Sequence, residues 1–451
     1  MQCVYALLLT FTCLYFIVPT DAENCRPNPC LHGGNCVMAR NRKGKMVEKC
    51  NCPGGWTGDK NCKWPCQDIY KSCTNLWKDE KRCLTHRQWT DWYNINCPVS
   101  CNYCQQDNRT VPSGHPYPPM LEPLEFLVGK WKLKSKDNLH FPFAFEEGTT
   151  YEEEIDILVA EVPMFGTPVL NYTAIAVNSN DPNDIQVENG FFTVVDRWRN
   201  YPVKVAVMRV HNAGGIIFEE GESDLNTRTI LLQLSWSKIH TSSKANLPTK
   251  LIYNFSGPAT MVLQGLVLIL VIGLSQSAIT LDYPLNQFDW IMGTWISESD
   301  GIVHWPTIPT MRFTEVLEFY PAPVTKASNV RFVNYSAIAT SHNSGDHFHN
   351  EQGFMTVDGS GRVVLYANGN NGFAQVERGK ISHGVLRLES ETVGRITIAR
   401  ELEVEAIKRE FRLNGPYLEQ ILHMRTITHP PSKNAVREHA RTLYKKVKDE
   451  L

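Results

Sequence analysis

Cysteine is the residue of this chain whose number and spacing most clearly indicate chemistry. Cys3 and Cys13 lie in an apolar N-terminal segment, and the other twelve of the 14 cysteines lie between Cys25 and Cys104. An even number of cysteines crowded into one short stretch is typical of a disulfide framework. A zinc site is the alternative, but the spacings are not those of paired C-x2-C knuckles. We therefore expect the twelve cysteines to form disulfides.

The apolar N-terminal segment indicates the compartment. Met1–Thr20 carries no charged residue and has an apolar centre from Tyr5 to Val18, which is typical of a signal peptide although a basic n-region is missing. The alternative is an N-terminal membrane anchor. The clustered cysteines favour cleavage and an oxidising compartment. Residues 1–22 are therefore predicted to be a signal peptide that directs the protein to the secretory pathway.

The first six cysteines follow the pattern C-x4-C-x5-C-x13-C-x-C-x9-C. Together with HGGNC at His32–Cys36 and GWTG at Gly55–Gly58, the pattern resembles an EGF-like domain, here residues 23–63. Calcium is not expected, because Asn41–Val47 offers no aromatic partner for the calcium-binding motif. Spacing alone allows fifteen connectivities for six cysteines. The resemblance implies one of them: Cys25–Cys36, Cys30–Cys50 and Cys52–Cys62.

The second six cysteines end in the compact CPVSCNYC of Cys97–Cys104. They resemble the ShKT family over residues 66–104. Channel-blocking members carry a Lys-Tyr pair where this chain has Asp91 and Trp92, so the cation that would plug a pore is missing. We expect both modules to be binding or spacing units for an unidentified protein partner. The ShKT resemblance implies three pairs: Cys66–Cys104, Cys73–Cys97 and Cys83–Cys101.

A proline-rich linker follows the two modules. Residues 105–123 contain five prolines and no apolar periodicity, which is typical of an exposed, semi-rigid spacer. Sequons for N-glycosylation occur in the linker and in the domains behind it. They are at Asn108, Asn171, Asn254 and Asn334.

The cysteine-free remainder contains an internal repeat. PLEFLVGKW, LNYTAIAV and ENGFFTVV of the first copy recur as FDWIMGTW, VNYSAIAT and EQGFMTVD in the second. The matching residues lie 163 or 164 positions apart, as Trp131 and Trp295 do. We therefore expect two paralogous domains, at 124–258 and 284–447.

Both copies alternate apolar and polar residues over short segments, such as FTEVLEFY, GVLRLES and GRITIAREL. Short, numerous segments with this period indicate a mainly β fold, either a sandwich or an antiparallel barrel. Gly293 and Trp295 are expected in the first strand of the second copy, after one short helical turn from Leu285 to Met292.

An ordered series of motifs in the second copy resembles nitrobindin. The series is WIMGTW (290–295), WPTI (305–308), H-x-E-x-G-F from His349, EFRLNG (410–415), LEQ (418–420) and H-x4-Y-K-K-V from His439. The resemblance covers about residues 285–447 and implies a ten-stranded antiparallel barrel that holds a b-type heme. It implies that His439 is the proximal iron ligand. His349 is then on the other side of the pocket, and Thr307 and Trp305 line it.

Heme in an apolar barrel needs a neutral imidazole as proximal ligand and leaves the opposite face open to a small ligand. The resemblance implies that ferric heme converts peroxynitrite to nitrate or binds nitric oxide, which makes a peroxynitrite isomerase the leading hypothesis. Two alternatives stay open: a carrier of a fatty acid or another lipophilic ligand, and an extracellular interaction protein whose barrels are scaffold. A serine or zinc hydrolase is not supported, since the sequence has no G-x-S-x-G and no H-E-x-x-H. The formal charge of −2 gives no basic excess for nucleic acid.

The first copy departs from the nitrobindin pattern. Gln186 stands where the second copy has His349. KLIYNFSGP at Lys250–Pro258 matches KREFRLNGP at Lys408–Pro416, after which the final strands and the proximal histidine are missing. A barrel without its last strands has open edges. We therefore expect a truncated first barrel, with heme b in the second barrel only.

An apolar segment, residues 259–279, separates the two copies. No residue is charged from Leu251 to Leu281, and the segment is long enough to span a bilayer. Its composition fits a second signal peptide equally well, which would mark two neighbouring genes joined in one chain.

The C-terminus adds a second indication of compartment. A KDEL sequence, which a receptor reads as an ER-retention signal in the lumen, ends the chain at Lys448, Asp449, Glu450 and Leu451. Lys244 and Lys250 precede the apolar segment and Asp282 and Asp289 follow it, which argues against a cytosolic second barrel. We expect the second barrel to be lumenal or secreted, with membrane anchoring through 259–279 as the alternative.

Overall fold

The computed structural model describes most of residues 25–447. The residues it does not describe are 1–24, 26, 41–43, 59, 75–82, 84–89, 112–113, 136–148, 165–166, 196–202, 225–226, 241–249, 255–280, 299, 306–307, 400–401, 430–434 and 448–451. The predicted signal peptide, the apolar segment 259–279 and the KDEL sequence therefore lie outside the described residues. Within the described part of the chain, no helix is both long and apolar enough to cross a bilayer.

The chain divides into two compact units, one of residues 1–68 and 77–114 and one of residues 69–76 and 115–451. Among its described residues, the first unit has two small antiparallel strand pairs and a short helix. These elements are β1 (Asn35–Arg40) with β2 (Met46–Asn51), β3 (Trp56–Thr57) with β4 (Trp64–Pro65), and α1 (Thr90–Asn96).

Disulfides take the place of a large hydrophobic core in the cysteine-rich region. All twelve cysteines from Cys25 to Cys104 are disulfide-bonded, which leaves none of them as a zinc ligand. Cys73 and Cys97 are among these bonded cysteines. A region this small buries too little apolar surface to be stable without cross-links. The other five pairs are those the two resemblances imply: Cys25–Cys36, Cys30–Cys50, Cys52–Cys62, Cys66–Cys104 and Cys83–Cys101.

The second unit begins with an open antiparallel sheet whose strands are consecutive in sequence. Among the described strands, β5 and β12 are its two edges, in agreement with a truncated first barrel. Its strands are β5 (Gly129–Ser135), β6 (Tyr151–Val159), β7 (Leu170–Asn178), β8 (Asp181–Val194), β9 (Val203–His211), β10 (Gly215–Asp224), β11 (Thr229–Ile239) and β12 (Lys250–Asn254).

The second sheet closes on itself. Two short strands, β13 and β14, both lie between β15 and β23, and the pairing of β15 with β16 completes a ten-stranded barrel. The predicted mainly β class is confirmed. The strands are β13 (Gly293–Ser297), β14 (Gly301–Trp305), β15 (Ile308–Pro321), β16 (Val333–Ser341), β17 (His347–Val357), β18 (Val363–Gly369), β19 (Phe373–Ser382), β20 (Val385–Arg395), β21 (Val404–Asn414), β22 (Tyr417–Thr426) and β23 (Arg437–Lys446).

A short 3-10 helix precedes the first strand of each barrel. In the first barrel it spans Pro119–Leu127, and the indole Nε1 of Trp131 donates to the carbonyl of Leu127 at 2.8 Å. In the second barrel the helix spans Leu285–Phe288, and Trp295 donates to the carbonyl of Ile291 at 2.7 Å. The repeated G-x-W motif therefore ties the end of the helical segment to the first strand, and the helical turn expected from the sequence is found over the first half of its expected range, Leu285–Phe288.

One segment with strand-like alternation is not a strand. β20 ends at Arg395, and the chain turns over residues 396–399, so the expected strand GRITIAREL at Gly394–Leu402 is wrong. Ile396 is buried in a cluster with side chains of the first barrel, and the backbone N–H of Thr397 donates to Glu220 of β10. These tertiary contacts override the local alternation.

The two barrels share an apolar cluster at their contact. It joins Phe191 and Met208 of the first barrel to Phe354 and Tyr366 of the second. Burial of large apolar side chains from both sides is what holds the pair together.

Two backbone hydrogen bonds show how the barrels are related. The N–H of Ile185, at the start of β8, donates to the carbonyl of Val324, after β15, at 2.9 Å. The N–H of Met164, after β6, donates to the carbonyl of His347, at the start of β17, at 2.7 Å. In the repeat β8 corresponds to β17 and β6 to β15, so the two contacts join corresponding segments, with donor and acceptor exchanged, and an approximate two-fold axis relates the barrels.

Candidate functional site

The second barrel encloses a cavity of about 630 Å³, a volume typical of small-molecule pockets. An apolar zone of its lining includes Met311, Phe313, Phe348, Phe373, Leu422 and Met424. A second group, here named the polar floor, consists of Glu315, Tyr335, Glu351, Gln375, Arg409 and Gln420. Along β15, Glu315 lies between Phe313 of the apolar zone and Leu317 of the core. The polar floor therefore separates the apolar zone from the barrel core.

Arg409 is the centre of the polar floor. Its Nη1 donates to Oε2 of Glu351 at 2.8 Å, and its Nη2 donates to Oε1 of Glu377 at 2.9 Å. The Tyr335 hydroxyl donates to the same Glu351 oxygen at 2.6 Å, and Gln375 donates to Glu351 as well. Buried charges are tolerated only when they are paired and hydrogen-bonded in this way.

The carboxyl groups of the polar floor differ in their protonation. Burial opposes ionisation of Glu351, but the adjacent Arg409 guanidinium outweighs it and holds the pKa of Glu351 at about 2. Burial raises the pKa of Glu315 to about 7. The hydroxyl of Tyr444 donates a hydrogen bond to Glu315, which lowers this pKa but does not cancel the effect of burial. The two glutamates therefore differ in charge below neutral pH.

His439 and His349 line the same cavity from roughly opposite walls. His439 is on β23 and His349 on β17, and four strand-to-strand steps through β14, β15 and β16 separate them in one direction around the barrel. Burial lowers the pKa of His439 to about 4, although a hydrogen bond to the backbone of His304 raises it in part. Burial also lowers the pKa of His349. Both imidazoles are therefore neutral at physiological pH, the form in which a ring nitrogen can ligate a metal.

The other predicted site residues are placed less fully. Trp305 ends β14, and Thr307 lies outside the described residues. Of the sequons, Asn108 is exposed, Asn171 and Asn334 are half-buried in β7 and β16, and Asn254 ends β12.

The polar floor was not predicted from the sequence. Glu351 lies inside the H-x-E-x-G-F motif, and its counterpart Glu188 recurs in the first copy. That recurrence was a usable signal. Arg409 gave no comparable signal, because the first copy has Leu251 at the matching position.

The first barrel contains a related network whose arginine comes from a different strand. Arg209 of β9 donates to Oε2 of Glu188 at 2.8 Å and also pairs with Glu219, and all three side chains are buried. Gln186 is fully buried at the position that corresponds to His349. The first barrel thus has a charged network of its own. It has no histidine at the position that corresponds to His349.

A family model for the THAP4-like, heme-binding beta-barrel domain matches residues 120–256 and 284–446. This chain belongs to that family. Both barrels fall within the matched residues, so family membership does not distinguish one barrel from the other. The residues of the second barrel suit the group, since a neutral, half-buried His439 on the wall of a mostly apolar cavity is what heme ligation requires.

Curated relatives match over a single barrel length. Peroxynitrite isomerase THAP4 from Bos taurus is 32% identical over 165 residues, which are 36% of this chain and 26% of that protein. Peroxynitrite isomerase 2 from Mycobacterium marinum is 28% identical over 142 residues, which are 31% of this chain and 83% of that protein. This chain spans about a quarter of the length of the THAP4 proteins that it matches. The crystal structure of Rv2717c from M. tuberculosis matches 37% of this chain and 99% of its own at 23% identity and a TM-score of 0.32.

Proposed function

We propose that the second barrel binds one heme b through His439 and isomerises peroxynitrite to nitrate there. The observation that carries the proposal is a histidine whose pKa burial lowers to about 4 on the wall of a mostly apolar cavity. Heme iron requires a neutral imidazole and an enclosed site. Membership in a heme-binding family and the printed names of the matching relatives support the same assignment.

The residues of the chain have distinct roles in such a site. Bound ferric heme would supply a Lewis acid and an oxygen-atom relay. The apolar zone, which includes Phe313 and Phe348, excludes water and competing nucleophiles. His349 is neutral because burial lowers its pKa, so its N–H can donate a hydrogen bond to an anion such as peroxynitrite.

A fatty acid is less well supported as the ligand. A buried carboxylate needs a cationic partner. Arg409 is the guanidinium that lines the described cavity, and it is already paired with Glu351 and Glu377. A ligand carboxylate would add a third negative charge beside one cation, so the polar floor disfavours it.

We assign heme to the second barrel alone. Gln186 replaces His349 in the first copy, and the match between the two copies ends before the region of His439. Without an imidazole at either position, the first barrel has no counterpart of the proposed iron ligand.

Hemin titration of the full chain tests the assignment. We expect a Soret band that saturates at one hemin per chain, and peroxynitrite that decays to nitrate faster with the loaded protein than with free hemin. His439→Ala removes the proposed ligand and should weaken hemin binding by at least about a hundredfold, since loss of even outer-shell partners costs 10–100-fold. His342→Ala, at an exposed histidine, is the matched control. An unchanged Soret band in His439→Ala, or two hemins per chain, contradicts the assignment.

We also propose that the protein works in the secretory pathway, with its EGF-like and ShKT-like modules as docking units. The twelve disulfide-bonded cysteines support this, because disulfides persist in oxidising compartments. Asn108 offers an exposed sequon. Glycosidase treatment should lower the apparent mass of the chain expressed in eukaryotic cells, and Asn108→Gln should reduce that loss by one glycan. A wild-type mass that glycosidase leaves unchanged contradicts the proposal.

A further inference from the structure

Gly369 lies on the cavity wall at a position where a larger side chain would contact its neighbours. It ends β18, lies directly opposite Glu351 of β17 and lines the cavity. Its φ lies outside the left-handed region that favours glycine, so backbone conformation does not demand this residue. A Cβ at this position would lie 3.1 Å from Cε1 of His349 and 2.7 Å from Oδ1 of Asn371. Both contacts are closer than ordinary van der Waals packing.

The first barrel has its imidazole at the other of the two positions. His211 of β9 lies opposite Glu188, as Gly369 lies opposite Glu351. Gln186 precedes Glu188 by two residues, as His349 precedes Glu351. The imidazole is therefore on the strand of His211 in one barrel and on the strand of His349 in the other.

His211 of the first barrel is held by a hydrogen bond from the turn that follows β9. His211 is 1% exposed, and its Nδ1 accepts a hydrogen bond from the backbone N–H of Ala213 at 2.9 Å. A glycine at the corresponding position of the second barrel leaves room for the ring of His349 beside it. Each barrel thus has one imidazole at this pair of positions, and only in the second barrel is the neighbour a glycine.

We propose that Gly369 is a positioning residue, which holds open the space that the His349 imidazole needs to face the ligand side of the heme site. The inference rests on the proposed function for its consequence, but the placement of His349 can be tested without heme. A methyl group at position 369 displaces the ring of His349 and removes the hydrogen bond that the ring donates to a bound anion.

The first test uses the full chain without hemin. The Cε1–H resonance of His349, assigned with His349→Ala in histidine-labelled protein, reports the surroundings of the ring. Gly369→Ala should shift this resonance clearly. Gly359→Ala, in the turn between β17 and β18 where a Cβ meets nothing within 4 Å, should leave it in place. A His349 resonance that does not respond to Gly369→Ala overturns the proposal.

The second test uses the hemin-loaded chain with azide as an anionic probe. Gly369→Ala should weaken azide binding roughly tenfold, the equivalent of one lost hydrogen bond to a charged group. Because the added methyl group also meets Asn371, the same loss is expected when Gly369→Ala is made in an Asn371→Ala background. In a His349→Ala background the same change should alter azide affinity less than about twofold, since the interacting partner is gone. An equal loss in both backgrounds overturns the proposal. Failure of the wild-type chain to bind hemin would instead contradict the proposed function, and the resonance test would still decide the placement of His349.

Discussion

At the scale of single residues, each barrel neutralises two buried glutamates with one arginine, but the arginine comes from different strands. Arg409 of β21 does so in the second barrel and Arg209 of β9 in the first. At the position that matches Arg409 the first copy has Leu251. Removal of one member of such a network leaves an uncompensated buried charge, so the network can change strand only if a replacement cation is present.

Glu315 gives the second barrel a distinctive pH dependence. Burial raises its pKa from the ordinary value of 4.5 to about 7, so between these values the folded chain keeps a proton that the unfolded chain has lost. Its contribution to stability therefore falls as pH rises through this window, by up to about 1.4 kcal/mol per pH unit.

Glu315→Gln should remove that fall. Urea unfolding measured from pH 4.5 to 7 should show a smaller loss of stability in the variant than in the wild type. Glu318→Gln, three residues later on β15, serves as the control and should keep the wild-type profile. Identical profiles for wild type and Glu315→Gln would show that Glu315 ionises at its ordinary pKa in the folded chain.

The sequence predicted the histidines of the site but only part of their surroundings. His439 and His349 were found because they stand within motifs that resemble a family, and the structure puts both on one cavity. The polar floor depends on which residues of distant strands face each other, as Arg409 of β21 and Glu351 of β17 do. No local pattern carries that information.

At the scale of elements, alternation was a sound guide wherever one face of a strand is buried. FTEVLEFY lies within β15, and GVLRLES lies almost entirely within β20. The guide failed at Gly394–Leu402, where the buried Ile396 packs in a cluster with first-barrel side chains. The strand register and the way the barrel closes could not be predicted from the sequence either. Closure depends on two short strands, β13 and β14, which both pair with β15 and β23.

At the scale of the whole molecule, Asp184 is a specific test of how tightly the two barrels are joined. Its buried carboxylate accepts hydrogen bonds from the backbone N–H of Lys326 at 2.8 Å and from the Thr325 hydroxyl at 3.2 Å. Asp184→Ala leaves these donors without that partner, which costs about 1–3 kcal/mol. We expect faster hydrogen exchange at the amides of residues 324–330.

Asp181 supplies the matched control for Asp184. It pairs with the same Lys326, through the ammonium group, at 2.9 Å; the Lys326 side chain is exposed and that of Asp181 is partly exposed. Exposed ion pairs contribute about 0–1 kcal/mol, so Asp181→Ala should change exchange little. Equal exchange in the two variants would mean that the buried contact does not hold the barrels together.

The approximate two-fold axis between the barrels has a consequence for how such a protein can change. In a symmetric homodimer every substitution appears twice, once in each subunit. In this chain the halves are encoded separately, so they can differ at matching positions, as they do at His349 and Gln186. One half can therefore change the residues of its site while the other keeps them, and selection can act on the two halves independently.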